Sequence, residues 1–204
     1  MESTPEELLL IFIKNPQLGK VKTRLAASIG DQKALEVYRK LLSKTHQATS
    51  SLSCARQVWY SNFIEEDDRW ASRDYKKCLQ QGNDLGDRMK EAFRQAFEDG
   101  YQRVVIIGSD CPDINSEILK QAFTELNQRD VVIGPSRDGG YYLLGMSSFY
   151  GGLFDGIEWS TPSVFKQTKA QIKQLGLTCD TLPMLNDIDT VEDLNQSDFI
   201  PNRS

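Results

Sequence analysis

The sequence predicts an α/β fold: a mostly parallel mixed sheet of six or seven strands with helices on both faces. Three observations carry this. Apolar runs of four to six residues, such as Leu8–Ile13 and Val104–Ile107, alternate with longer amphipathic segments. Most links between the runs are long enough to be helical, which suits parallel neighbours. The chain has 204 residues and shows no internal repeat, so one domain over 1–204 with a single layered core is expected.

In order, Leu8–Ile13 reads as a buried strand. Lys14–Leu25 reads as a basic loop, and Asp31–Thr49 as a helix with Leu35, Val37, Tyr38, Leu41 and Leu42 apolar and Asp31 as its N-cap. Gln57–Tyr60 is a short strand. Asn62–Tyr75 is polar and acidic, a short helix or loop, and Lys77–Gly82 is a second short strand. Asp84–Asp99 predicts a helix with Leu85, Met89, Ala92, Phe93 and Phe97 on one face, closed by Gly100. Arg103–Gly108 is a buried parallel strand, followed by a helix over Asn115–Arg129 and a strand over Asp130–Gly134. Tyr141–Met146 follows after so short a connection that an antiparallel strand is expected there. Thr161–Leu175 is helical, Thr178–Leu182 a strand and Thr190–Gln196 a terminal helix.

Composition excludes several classes of function. A formal net charge of −5 argues against nonspecific nucleic-acid binding, which needs a broad basic surface. The longest apolar stretch, Leu8–Ile13, is too short to enter a membrane as a span, and the acidic start Met1–Glu7 is unlike a signal peptide, so a cytoplasmic protein is expected. The cysteines, Cys54, Cys78, Cys111 and Cys179, lack C-x-x-C spacing and read as free thiols. His46 is the one histidine and lies mid-helix as a packing or surface residue, so Cys111 and the serines have no evident base for hydrolytic catalysis.

The most informative junction is the step from strand Leu8–Ile13 into Lys14-Asn15-Pro16-Gln17-Leu18-Gly19-Lys20-Val21-Lys22-Thr23-Arg24-Leu25. Pro16 and Gly19 stop the strand and turn the chain across its carboxyl end, where open α/β sheets bind ligands. Lys14, Lys20, Lys22 and Arg24 there read as a phosphate site, with Lys20 expected to face solvent. It is no P-loop, because Lys14 stands where that motif needs Gly. The plain alternative is a solvated basic turn.

Asp110, in Gly108-Ser109-Asp110-Cys111-Pro112, follows a fully apolar strand and is placed to hold Mg²⁺ or Mn²⁺. Its alternative role as a helix cap is better filled by Asn115 or Ser116, and Asp113 reads as a turn residue. Asp187 and Asp189 flank Ile188 at i,i+2, on one side of an extended segment, which suits a metal. Asp189 with Glu192 also resembles a capping box for the last helix, and Asp187 also reads as structural. Arg137-Asp138-Gly139-Gly140-Tyr141-Tyr142 lets backbone approach a ligand closely, or is simply a hairpin turn. Gly86, just inside a predicted helix where glycine costs about 1 kcal/mol, points to close approach by a base or ribose.

These motifs together resemble the small bacterial GT-A-like transferases of the nucleotide-diphospho-sugar transferase superfamily, including the arsenosugar-biosynthesis glycosyltransferase-like group. That group is related to 2-phospho-lactate guanylyltransferase and, more distantly, to molybdenum-cofactor guanylyltransferase. The resemblance runs from Leu9 to Leu194, through the basic loop, Asp84–Met89, Gly108–Pro112, Asp138–Tyr142, Trp159–Thr161 and Asp187–Thr190. It implies a three-layer Rossmann-like fold and metal-dependent transfer from a nucleotide or nucleotide-sugar to a small acceptor. It further implies phosphate contacts from Lys14, Lys22 and Arg24, with Asp110, Arg24 and Lys22 catalytic. Gly19, Thr23, Asp84, Gly86, Ser109, Gly139 and Gly140 would border the nucleotide. Asp110, with Asp189 or Asp187, would hold Mg²⁺ or Mn²⁺. The loop has one Gly and a Pro where nucleotidyltransferases of the superfamily are Gly-rich, and no Asp-x-Asp occurs at Asp110, so glycosyl and nucleotidyl transfer both stay open.

Overall fold

The computed structural model describes residues 6–197 and 199. Residues 1–5 of the acidic start lie outside the described residues. Strand β1 (Glu7–Ile13) is buried throughout Leu8–Ile13 because both faces of the sheet are covered. Leu9, Ile11 and Ile13 enter one core, packed under α1 (Thr23–Ile29), α2 (Asp31–Ser50), α4 (Ser116–Glu125) and α6 (Val191–Gln196). Leu8, Leu10 and Phe12 enter the other, packed under α3 (Leu85–Glu98), the 3-10 turn Gly151–Phe154 and α5 (Val164–Gln174). The remaining strands are β2 (Ala55–Tyr60), β3 (Lys76–Leu79), β4 (Arg103–Ile107), β5 (Val131–Pro135), β6 (Tyr141–Met146) and β7 (Cys179–Thr181). They form a seven-stranded sheet in the order β3-β2-β1-β4-β6-β5-β7.

Strand β1 pairs in parallel with both β2 and β4, so the chain leaves β1 to one side and later returns to the other. A crevice opens at such a reversal, at the carboxyl ends of β1 and β4. Strand β6 runs antiparallel to both β4 and β5, the reversal expected from the short Ser136–Gly140 connection. No helix among the described residues is long and apolar enough to cross a membrane.

The main departure from the sequence reading is α1. The loop ends at Lys22 and a helix begins at Thr23, with Leu25 its one buried residue. A single apolar anchor gives no periodicity to read, and the flanking charges suggest a loop. Pro16 and Gly19 still turn the chain, Gly19 with φ of 70° and the Lys20 N–H donating to Gln17 O at 3.1 Å. Gly30 is the N-cap of α2, and Asp31 is instead the first helical residue, where its charge complements the helix dipole. Helix α5 starts at Val164, later than expected. The Thr161 hydroxyl donates to Glu158 O at 2.7 Å and Ser160 has φ of 63°, which holds 158–163 as a turn. His46 packs edge-on against Trp70, as a packing residue.

Candidate active site

At the crevice between β1 and β4 lies a cleft of about 440 Å³, adjoined by a smaller cavity of about 200 Å³. Both are lined by Lys14, Arg24, Asp110 and Asp189, so the basic loop and the carboxylates after β4 and before α6 meet at one place.

Lys22 is the centre of that meeting. It caps α1 in the left-handed region, φ 50° and ψ 44°, at a cost of about 1–2 kcal/mol for a residue with a Cβ. Its side chain is 4% exposed, and Nζ lies 2.8 Å from Asp110 Oδ1 and 2.8 Å from Asp189 Oδ1. Burial opposes its charge, but the two carboxylates outweigh burial and raise its pKa. Lys22 was expected on phosphate; its ammonium is instead held by two carboxylates. Tyr38, buried in α2, ties Lys14 into place. It accepts from the Lys14 N–H at 2.8 Å, donates to Lys14 O at 3.1 Å, and meets Ser109 Oγ at 3.1 Å. Thr23 and Lys20 line the smaller cavity, so Lys20, though exposed, reaches it.

The carboxylate wall is set by backbone. The Ile188 N–H donates to Asp110 O at 3.0 Å, and Ile188 is fully buried, which turns Asp187 and Asp189 the other way, toward the cleft. The capping box of α6 uses Thr190 and Asp193, with the Thr190 N–H donating to Asp193 Oδ2 at 2.8 Å. The box is therefore not the Asp189–Glu192 pair, and Asp189 is left to meet Lys22. Burial, then the nearby charges of Asp110 and Asp138, pushes the Asp187 carboxyl up to about 7. Asp138 is fixed by the Gly140 N–H at 2.9 Å and by the Ser136 hydroxyl.

The donors here are all carboxylate oxygens, and Asp110, Asp187 and Asp189 carry more negative charge than Lys22 neutralises. That chemistry fits a hard divalent cation. Among the described residues no three His, Cys, Asp or Glu side chains are grouped so as to hold a metal ion by themselves. An ion on Asp110 and Asp187 would complete its shell with ligand oxygens and water, as Mg²⁺ ordinarily does.

The opposite wall is apolar, formed by Phe12, Leu85, Met89, Tyr141 and Trp159. Leu85 is 45% exposed at its mouth, not packed on the buried face of α3. Here the glycines have jobs other than the expected ones. A Cβ on Gly86 would lie 2.0 Å from Trp159 Nε1, so Gly86 makes room for the indole that forms the wall. Gly139, φ 89°, would place a Cβ 2.1 Å from Pro162 O; it lets the 136–140 and 159–162 turns pack together. Asp84 is the N-cap of α3, accepting from the Asp87 N–H at 2.8 Å. Gly86, Gly139, Asp84 and Gly19 do not line the cleft, whereas Gly140 and Ser109 do. Gly139→Ala is expected to cost about 2–4 kcal/mol from positive φ and overpacking against backbone. Gly140→Ala, whose Cβ would meet Asp138 Oδ1 at 3.3 Å, should cost clearly less in the same urea unfolding series.

Two side chains not foreseen as site residues shape the edge of the cleft. Asn15 is 1% exposed and holds the loop after β2 onto the end of β1, accepting from the Asn62 N–H at 3.0 Å and donating to Phe63 O at 2.9 Å. Gln80 reaches across β2, its Nε2 donating to Trp59 O at 2.8 Å and Ile13 O at 3.1 Å, and lines the cleft. Neither has a local signal, because both act across strands distant in sequence.

The fold is that of the nucleotide-diphospho-sugar transferase class of α/β domain. The chain belongs to the family described as "Uncharacterized protein conserved in bacteria (DUF2064)", whose model matches residues 44–161. It is 39% identical to a protein from Desulfovibrio desulfuricans provisionally designated a nucleotide-diphospho-sugar transferase. That match covers 94% of this chain and 86% of that one, with a TM-score of 0.87. Two solved structures share the fold at low identity. One is the inositol-1-phosphate CTP transferase from T. maritima, 13% identical over 98% of this chain and 95% of that one, with a TM-score of 0.57. The other is a manganese complex of Rv0371C from Mycobacterium tuberculosis, 11% identical over 94% and 97%, with a TM-score of 0.56. No curated protein matches.

Proposed function

We propose that the protein is a Mg²⁺- or Mn²⁺-dependent transferase that takes a nucleotide-sugar and passes its glycosyl group to a small acceptor. The observation that carries this reading is the convergence of Lys14, Lys22 and Arg24 with Asp110, Asp187 and Asp189 on one cleft at the sheet's reversal point. Asp110 and Asp187 would hold the metal, which when bound supplies positive charge against a departing diphosphate. Arg24 and Lys14, lining both cavities, would fix the phosphates and stabilise the same developing charge. The apolar wall of Leu85, Met89 and Trp159 offers a surface for a base or sugar face. Asp138, held by the Gly140 N–H, and Thr161 border the side left for the acceptor. Convergence of Asp187 and Asp189 on the Asp110 cleft counts against a merely passive nucleotide-binding domain.

Nucleotidyl transfer to a small phosphorylated acid is the second reading, and the smaller cavity favours it. Lys14, Lys20 and Arg24 line it, cations beyond the Lys22 ammonium held by Asp110 and Asp189, and a pyrophosphate leaving group could rest on them. Mass-spectrometric tracking of products with Mn²⁺ and panels of nucleotide-sugars and nucleoside triphosphates separates the two. Release of nucleoside diphosphate supports glycosyl transfer, and release of pyrophosphate supports nucleotidyl transfer. In calorimetry with the nucleotide that binds, Arg24→Ala should weaken affinity by about 1.5–3 kcal/mol, the worth of a hydrogen bond to a charged group. Its melting temperature should barely move. An affinity unchanged from wild type would take Arg24 out of the site.

A further inference from the structure

We propose that Lys22 is a built-in cation: its ammonium does for the Asp110–Asp189 pair what a second divalent ion would do, so the cleft takes one divalent ion and not two. The inference rests on the metal dependence proposed above and fixes the number of ions.

One nitrogen sits 2.8 Å from an oxygen of each carboxylate, the separation of a charge-assisted hydrogen bond to both. Mg²⁺ bridging the same two oxygens would need contacts of about 2.0–2.1 Å, so ion and ammonium cannot share the place. Nor is Lys22 free to swing away. Its side chain is 4% exposed, and it is anchored between Val21, 2% exposed, and Leu25, fully buried. Its backbone is committed to the left-handed cap of α1, where Lys22 O accepts the Ala26 N–H at 2.8 Å. A lysine on a mobile loop would move aside for an incoming ion; this one is part of the wall. The consequence for recognition is that phosphate contact falls to Lys14 and Arg24, whose side chains are not paired with these carboxylates.

The test is a Mn²⁺ titration read by the electron paramagnetic resonance of free Mn²⁺, on wild type, Lys22→Met and Lys22→Arg, with no substrate present. Wild type and Lys22→Arg should each bind one equivalent. Lys22→Met, which keeps the stem and removes the charge, should bind two. Two equivalents on wild type, or one on a folded Lys22→Met, would overturn the proposal and leave metal dependence standing. No binding by wild type would remove the metal dependence itself and this inference with it. Should Lys22→Met unfold in EDTA, millimolar Mn²⁺ must restore its circular dichroism, because the ion would replace the missing charge. A variant that stays unfolded in Mn²⁺ counts against the built-in cation.

Discussion

Asp110→Asn is expected to weaken metal-dependent nucleotide binding severely and to leave the fold in place. The loss follows from charge. A neutral amide keeps the shape of the carboxylate but weakens a hard-cation site, and it takes away one of the two anions that fix the Lys22 ammonium. The expected drop in affinity with Mn²⁺ is on the order of 3 kcal/mol, about a hundredfold. The fold survives because the bond that joins this loop to the α6 segment is made by backbone, from Ile188 N–H to Asp110 O, and Lys22 keeps Asp189. Calorimetry in Mn²⁺ and in EDTA, beside a circular dichroism melt, checks both halves. Unchanged Mn²⁺-dependent affinity would take Asp110 out of the site.

Asp187→Asn is expected to stabilise the metal-free protein at alkaline pH. The Asp187 carboxyl has its pKa raised from 3.8 to about 7 by burial and by Asp110 and Asp138, so folding favours its protonated form. The sign is that of a raised acid: the penalty for ionising it is absent below about pH 4, grows as pH rises toward 7, and is constant above that. At about 1.4 kcal/mol per pKa unit its ceiling is about 4 kcal/mol. Urea unfolding in EDTA should find Asp187→Asn more stable than wild type at pH 8 and no more stable at pH 4. Added Mn²⁺ should stabilise wild type and shrink the gap at pH 8. A difference that does not change between pH 4 and 8 would mean that Asp187 titrates in the fold as it does in the unfolded chain.

What could be read from the chain and what could not divide along physical lines. Strand β1, the basic turn after it and Asp110 are legible because each is a local event: an apolar run, a Pro and Gly break, a carboxylate beyond a buried strand. The facing of Asp187 and Asp189 was legible from the alternation around Ile188. The Lys22 bridge was not, since it joins residues 167 positions apart and the sequence offers no sign of that pairing. The glycines are only half legible for a related reason. Gly86 and Gly139 do mark close approaches, but a sequence shows that a Cβ is missing without showing that Trp159 or Pro162 is what comes near. Tyr38 looked like one more apolar helix position, and only its contact with Lys14 and Ser109 gives it a part in the site.

The reversed sense of β6 has a consequence for how such a domain can diversify. Because β6 runs against β4 and β5, the hairpin tip at 136–140 opens onto the same edge as the end of β1, yet the two belong to strands separated by β4 in the sheet. Lengthening or recomposing that tip would recast one bank of the cleft, from Ser136 to Tyr141, without disturbing the register of β1 or the placement of Lys14 and Arg24 on the other. The architecture thus separates a bank fixed to β1 from one carried on a hairpin, and the shape of the cleft can change by editing that hairpin alone.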